Sequence, residues 1–492
     1  MTAKTSEKRE AGLSRRGLLQ SSAGVLALTA LPRSRAFAAE TASPAIATLS
    51  AYMGEAATRA LPEEVAEKTK EHILDTFAAM ISGVDLPPAR VALKLAQAHA
   101  GGPATVAASK VRCGAIEAAM INGLLAHSDE TDDSHAPSQS HPGCAIVPAA
   151  LAMGEELGID GTRLLRAVAL GYDVGPRVTM TLGGVPFQMQ THHSAHSIAG
   201  TFGAGAAAGC AAGFTAQQMR WVLDYSAQQA AGIAAWQRDT DHIEKSMVFA
   251  GMPARNGVSA AMVIHFGGTG VDDIFSGADN FLLTFAPKAD PAGLADQLGT
   301  RYEITRTNIK KWTVGSPIQA PLDALENLRK RHPFEADDVQ KVVVRLATSE
   351  AKTVNNREMP DISLQHMIAV MLIDKTVTFQ AAHDRDRMKD PNLLRQRAKV
   401  ELVPDAELER QYPKRETIVQ VTLADGQMLT ERVEAVRGTA ENPMTREEVV
   451  AKCRALMAPV LGAAASAKVI DGVMALEGVK NVRGLGALLQ RG

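Results

Sequence analysis

Residues 122–148 read NGLLAHSDETDDSHAPSQSHPGCAIVP. The 15 residues from His127 to His141 hold His127, Asp129, Glu130, Asp132, Asp133, His135 and His141. On either side lie the Ala-rich apolar runs CGAIEAAMINGLLAH and CAIVPAALAMGEELG, which predict two buried helices. A polar loop strung between two core helices sits at the mouth of a core, where a merely solvated charge cluster has no such flanks. Imidazoles titrate near neutrality and carboxylates orient them, so the stretch has the composition of an acid–base site.

Working outward, the pattern from about residue 41 to residue 270 is helical. Leu61-Pro62-Glu63-Glu64 opens a helix with proline and two acids in its first turn. Val65, Thr69, Ile73, Phe77 and Met80 mark its inner face and Gly83 ends it. Between Ser194 and Phe214, Gly205, Gly209 and Gly213 recur every four residues beside Ala204, Ala208 and Ala212. This predicts a smooth helix face for close packing. The run GTFGAGAAAG is not a dinucleotide loop, because no β-branched strand precedes it and no suitably placed acid follows.

After Asn308 the composition changes. Val339–Leu346 reads as a strand, and Glu416–Val433 as two alternating strands around Asp425-Gly426. Ser363–Asp374 and Phe379–Arg387 read as helices between them. The expected architecture is mainly α: an all-helical domain from residues 39–299 and 438–492, interrupted by an α+β lid over residues 300–437.

A formal net charge of −2 gives no electrostatic case for nucleic acid or an anionic membrane as partner. The four cysteines, Cys113, Cys144, Cys210 and Cys453, lack metal-ligand or redox spacing. Cys144, just beyond the polar loop, reads as a small buried residue rather than a nucleophile. At the N-terminus, Ser14-Arg15-Arg16-Gly17-Leu18-Leu19-Gln20 is similar to a twin-arginine export signal. An apolar stretch near residues 23–31 and the small–x–small site Ala36-Phe37-Ala38 follow it. Residues 1–38 are therefore expected to be an address that is removed, leaving a periplasmic chain from Ala39. No later segment reads as a membrane span.

Several separated segments carry a family resemblance: HILDTFAAMISG, AAMINGLLAHSDETDDSH with HPGCAIVPAALAMGEELG, EKSMVFAGMPARNGVSAAMVIHFGGTGVDD, and NIKKW with PLDAL. In order and over residues of about 45 to 480, the chain resembles the MmgE/PrpD family. That family includes 2-methylcitrate dehydratases, cis-aconitate decarboxylases and an iminodisuccinate epimerase. The resemblance implies a helical domain with an inserted α+β lid, a homodimer, a small polycarboxylate as substrate, and no metal or organic cofactor. It also implies site residues. His127 and His141 match the family's acid–base histidines, with Asp132 and Asp133 orienting imidazoles or holding the loop and Ser134 beside them. Lys245 and Lys310 match lysines that face substrate carboxylates from the two domains. Of His192, His193 and His196, which precede the Gly-rich helix, His193 is preferred.

Two departures stand out. Glu130, expected among the catalytic residues, replaces the family's first aspartate, with Thr131 after it in place of phenylalanine, and Gln319, expected with Ser134 to bind substrate, stands near a usual histidine. The expected function is a dehydratase of a hydroxy-polycarboxylate, by α-proton abstraction and loss of the β-hydroxyl. Epimerisation or decarboxylation of a related acid is the alternative. A metal-dependent lyase or hydrolase using His127, Asp132, His135 and His141, and an exported non-catalytic carboxylate-binding protein, are the competing classes.

Overall fold

A computed structural model describes residues 42–491; the expected twin-arginine signal and the expected cleavage site after Ala38 lie outside the described residues. The chain is mainly helical, with a smaller α+β part built on a four-stranded mixed sheet. The helix Glu63–Ser82 begins after Pro62 with Glu63 and Glu64 in its first turn, where acids complement the helix dipole, and ends at Gly83.

At the centre of the helical body lies Ala195–Ala212, buried along nearly its whole length. It packs against Gly161–Thr181 and Met252–His265. A Cβ on Gly175 would stand 2.3 Å from the Ala199 carbonyl oxygen, and one on Gly257 would stand 2.4 Å from the Gly205 nitrogen. Glycine thus lets these backbones touch, although not along the single stripe expected. Gly205 meets Gly257, Gly209 backs onto Met219, and Gly213 caps the helix.

Apolar residues between Ile46 and Ile309 form one core, which Met444, Val449, Leu456, Val469 and Leu485 of the C-terminal helices join. A second core runs from Trp312 to Val436. Its sheet has Val339–Ala347 between Val400–Asp405, parallel to it, and Thr417–Leu423, antiparallel. Met428–Val433 completes the hairpin at the edge. Thr417–Leu423 alternates buried and half-buried residues, as a strand covered on one face does. The helices Ser316–Arg331 and Leu364–Asp374 pack against this sheet. The expected helix Phe379–Arg387 is broken: Phe379–His383 is helical, Asp384 is extended, and a tight turn follows over Asp386–Lys389.

Helical geometry is continuous over Ile243–His265, with one wider i→i+5 turn at Met247–Gly251. This 23-residue stretch is long and apolar enough to cross a membrane by length and composition, which the sequence reading did not flag. Here it packs within the helical body against Ala115–Ala126 and Ala195–Ala212.

The chain passes between the two cores at Ile309 and again at Gly438, where the Ile309 N–H donates to the Gly438 carbonyl at 3.0 Å. Gly438 has φ +100, and a Cβ there would collide with the Ile309 carbonyl oxygen. That close crossing sets the position of the next residue, Lys310.

Candidate active site

The stretch 127–142 connects the helices Ala115–Ala126 and Gly143–Leu157, and it is buried apart from Ala136, Pro137 and Gln139. Such a loop has to find partners for its polar groups inside the protein. Ser134 exchanges backbone hydrogen bonds with Asn308 (3.0 and 2.8 Å), and His135 does so with Ser140 (2.8 and 3.3 Å). Lys452 donates to the Thr131 carbonyl at 3.2 Å and to Asp75 at 2.6 Å. His135 points away from the cavity, to Ser138 at 2.7 Å and to Glu303 at 3.3 Å.

Asp132 is the pivot. Its Oδ2 lies 2.9 Å from His127 Nδ1 and its Oδ1 lies 3.2 Å from His141 Nδ1. A carboxylate facing both Nδ1 atoms assigns the proton of each neutral ring to Nδ1 and leaves Nε2 as the basic atom. Burial disfavours the charge on Asp132, yet His127, His141 and Lys310 hold its pKa well below the usual range. Burial also pushes His141 down, to about 4, with Asp132 opposing the shift and Lys310 reinforcing it. His141 is therefore a neutral base at pH 7.

Glu130 anchors both expected lysines. Lys245 donates to its Oε1, and Lys310 donates to its backbone carbonyl at 2.8 Å. Lys310 Nζ also lies 3.6 Å from both Glu130 Oε2 and Asp132 Oδ1. Burial works against the Glu130 charge, but Lys245 and Lys310 keep its pKa well below normal.

Glu130, His141 and Lys245 border a cavity of about 910 Å³ between the helical body and the α+β part, whereas the expected site residues His127 and Asp132 are buried behind them and Lys310 borders a second cavity. Glu130, His141, His196, Lys245 and Phe249 face it from one side, and Glu350, Tyr412 and Arg415 from the other.

Not every expected residue arrives there. Asp133 turns into the core, accepting from His72 (2.8 Å), Tyr172 (2.6 Å) and the Gly143 N–H (3.0 Å). It holds the loop and orients His72, not His127 or His141. His193 stacks on Phe187, with ring centroids 5.7 Å apart, and does not line the cavity. His192 and His196 border it instead, and His196 stands nearer the acid–base groups, stacked on Phe249 at 3.8 Å and 5.3 Å from the His141 ring. As the second residue of its helix, it is carried over the cavity, while His193 stays on the extended segment before it, bridged to Ile233.

Gln319 is spent on structure. Its amide accepts from the Trp312 N–H (3.0 Å) and donates to the carbonyls of Trp312 (2.7 Å) and Val314 (2.9 Å). Ser134 and Gln319 border a second cavity of about 330 Å³ instead. Cys144 donates to the His141 carbonyl at 3.1 Å, and burial drives its thiol pKa well up, so it is a packed thiol.

Sequence reasoning passed over His242, whose ring lies 5.1 Å from that of His127. Burial and Lys245 push its pKa down to about 3. It stands directly before the Lys245 segment, but one histidine beside a lysine carries no local signal. Among the described residues, two groups, His127/Asp132/His141 and His127/Glu130/His242, bring their ligand atoms within 4.8 Å of one another and could hold a metal ion. The fit is poor. Lys245 and Lys310 already neutralise Glu130 and Asp132, so a cation would have to displace an ammonium group.

Comparison with known proteins places this fold and site in a class. The pattern of the MmgE/PrpD N-terminal domain matches residues 47–293, and that of the C-terminal domain matches residues 312–476. The chain belongs to the MmgE/PrpD family. Among its relatives, cis-aconitate decarboxylase of Aspergillus terreus is 24% identical over 461 residues, covering 88% of this chain and 93% of the relative. Human cis-aconitate decarboxylase is 25% identical over 458 residues, covering 87% and 91%. The mouse cis-aconitate decarboxylase is 26% identical over 364 residues, covering 69% and 71%.

Proposed function

We propose that this chain is a lyase for a small hydroxy-polycarboxylate, taking the proton next to a carboxylate and releasing the β-hydroxyl as water. The observation that carries this reading is Asp132 spanning two Nδ1 atoms, which leaves the neutral His141 with its basic Nε2 free of Asp132 at the cavity wall. His141 Nε2 takes the α-proton, and the electron pair moves into the adjacent carboxylate. Lys245, at the cavity wall, stabilises the charge that develops there, and Lys310, behind Glu130, adds its field. Collapse of this enediolate expels the β-hydroxyl, and the imidazolium of His141 returns the proton to it. One C–H and one C–O bond break, a C=C bond forms, and water leaves.

Neutral histidines favour this direction, because a site that begins by abstracting a proton needs a base. The relatives support a second reading, decarboxylation. There a C–C bond breaks, CO₂ leaves, and a charged imidazole supplies the proton to carbon; substrate carboxylates would raise the histidine pKa enough for that. Export by the twin-arginine route to the periplasm, and assembly as a homodimer, belong to the same proposal. They rest on the Ser14–Gln20 segment and on the family resemblance.

The test is proton NMR in D₂O of the chain from Ala39 onward, with citrate, 2-methylcitrate, cis-aconitate, malate, tartrate and iminodisuccinate. Deuterium entering an α-carbon, with water elimination and loss of both in His141→Ala, is the expected result. CO₂ release from cis-aconitate would select the second reading. Exchange with none of these acids would remove the first.

A further inference from the structure

In the acid–base corner the two lysines are shared between the protein's own carboxylates and the charge that develops at the reacting end of the substrate. Lys245 and Lys310 are both engaged with Glu130, and Lys310 also approaches Asp132. A di- or tricarboxylate brings two or three negative charges, so it needs a further cation away from the reacting carbon.

Arg415 meets that need. It lies two residues before the strand Thr417–Leu423, on the α+β side of the cavity, and it also borders the second cavity, so it stands in the wall between them. Its Nη1 donates to Glu350 Oε1 at 2.5 Å. Its Nε is buried without a hydrogen-bond partner, and so is the other oxygen of Glu350. A guanidinium offers five N–H donors in a planar fork. A buried ion pair kept for structure alone ordinarily has its remaining donors and acceptors satisfied, because leaving them bare is costly. Tyr412, whose ring centroid lies 5.9 Å from the guanidinium carbon, supports it, and the Tyr412 hydroxyl is held by Gln139 at 2.8 Å. Arg415 is close enough to the acid–base corner to feel the charge of Glu130.

We infer that Arg415 anchors the remote carboxylate of the substrate, opposite the end worked on by His141, with Glu350 holding the guanidinium in place. This rests on the reading of the cavity as a polycarboxylate site. The ligand class is then an acid with at least two carboxylates, one at Lys245 and one at Arg415. An ammonium at this position would keep the charge but lose the fork.

The experiment is calorimetric titration of the chain from Ala39 onward with tricarballylate, a tricarboxylate with no hydroxyl to eliminate. Arg415→Gln, Arg415→Lys and Lys352→Gln are compared; Lys352 is an exposed cation at the cavity mouth. The expected result is a loss of about 10- to 100-fold in affinity for Arg415→Gln, as for a charged hydrogen-bonding partner. A smaller loss is expected for Arg415→Lys and little change for Lys352→Gln. Should Arg415→Gln fail to fold, Arg415→Lys decides alone, with a loss of at least about threefold expected. Unchanged binding in the arginine variants, or an equal loss in Lys352→Gln, overturns the inference and leaves the proposed function standing. If the unsubstituted protein does not bind tricarballylate, the polycarboxylate reading itself falls.

Discussion

The imidazole of His383, in the α+β part, lies 2.9 Å from the carboxylate of Asp129, in the buried polar loop of the helical body. His383 Nδ1 is 2.6 Å from the Phe379 carbonyl, and with a carboxylate 2.9 Å from Nε2 the ring is held as an imidazolium by charge, its Nε2–H not being aligned for a hydrogen bond. Burial opposes that charge, but Asp129 and Asp361 outweigh it and raise the pKa to about 9. Asp129 sits next to Glu130 in sequence, so this ion pair ties the α+β part to the residue that seats both lysines.

The first prediction follows from the sign of that shift. A histidine whose folded pKa exceeds its unfolded value of about 6.5 contributes stability that is complete below 6.5. That contribution is lost as pH rises from there through about 9. Denaturant unfolding at pH 6, 8 and 10 should show the free energy falling across this window, and His383→Gln should remove that part of the slope. At pH 6 the same substitution should cost about 3–5 kcal/mol, because it leaves the buried Asp129 without its cation.

The second prediction concerns His141. Its pKa is pushed down to about 4, so the free enzyme carries the neutral base over most of the acid range. The expected kcat/KM profile is level between pH 5 and 7 and declines only as pH approaches about 4. Stability runs the same way for this residue. The unfolded chain takes up the proton near 6.5 and the folded one does not, so stability falls as pH drops from about 6.5 to about 4. A kcat/KM profile that breaks near 6.5 would show that another group is the base.

Asp132→Asn is the third. The amide cannot accept from both Nδ1 atoms with the strength of a carboxylate, and its NH₂ would face one of them. Loss of tautomer control should lower kcat about 10²- to 10⁴-fold, as for general-base catalysis. A near-normal melting curve, measured alongside, would assign the loss to chemistry.

The contrast between Asp132 and Asp133 shows how far the sequence could be read. The two apolar runs predicted their helices, and so did the proline and acids before Val65, because helix periodicity and capping are local. The burial of the polar loop also followed from its flanks. The destination of each carboxylate did not: neighbouring residues point to opposite sides, and Asp133 meets His72 and Tyr172, far away in sequence. The choice among His192, His193 and His196 likewise depended on where the turn becomes helix, since a shift of a few residues changes the face. Gln319 is expected to bind substrate, but its partners, Trp312 and Val314, lie in a loop that composition does not define. Arg415 and His242 carried no pattern at all; only folding brings Arg415 to the cavity and His242 beside His127.

The fourth prediction addresses metal. Both three-residue groups that could hold an ion include a carboxylate already paired with a lysine. Protein dialysed against a chelator and freed of zinc, by elemental analysis, should keep its full α-proton exchange rate. Activity lost on chelation and restored by one added equivalent of metal would overturn the acid–base account.

The last prediction concerns how the loop is joined to the helix after it. Gly143 is the first residue of Gly143–Leu157 and directly follows His141-Pro142. A Cβ there would stand 2.6 Å from the Tyr172 hydroxyl, 2.7 Å from Thr76 Oγ1 and 2.9 Å from Asp133 Oδ2. These atoms cannot all retreat, since Tyr172 and the Gly143 N–H itself are bonded to Asp133. Gly143→Ala should therefore destabilise the fold by about 1–3 kcal/mol, as overpacking of a dense core does. It should also lower kcat, because the strain is passed through Asp133 to Asp132 and through Pro142 to His141. Chemical denaturation gives the first number and single-turnover α-proton exchange the second. If stability falls while kcat is unchanged, the Asp132–His141 contact is set from elsewhere, most directly by Lys310, whose ammonium lies 3.6 Å from Asp132 Oδ1.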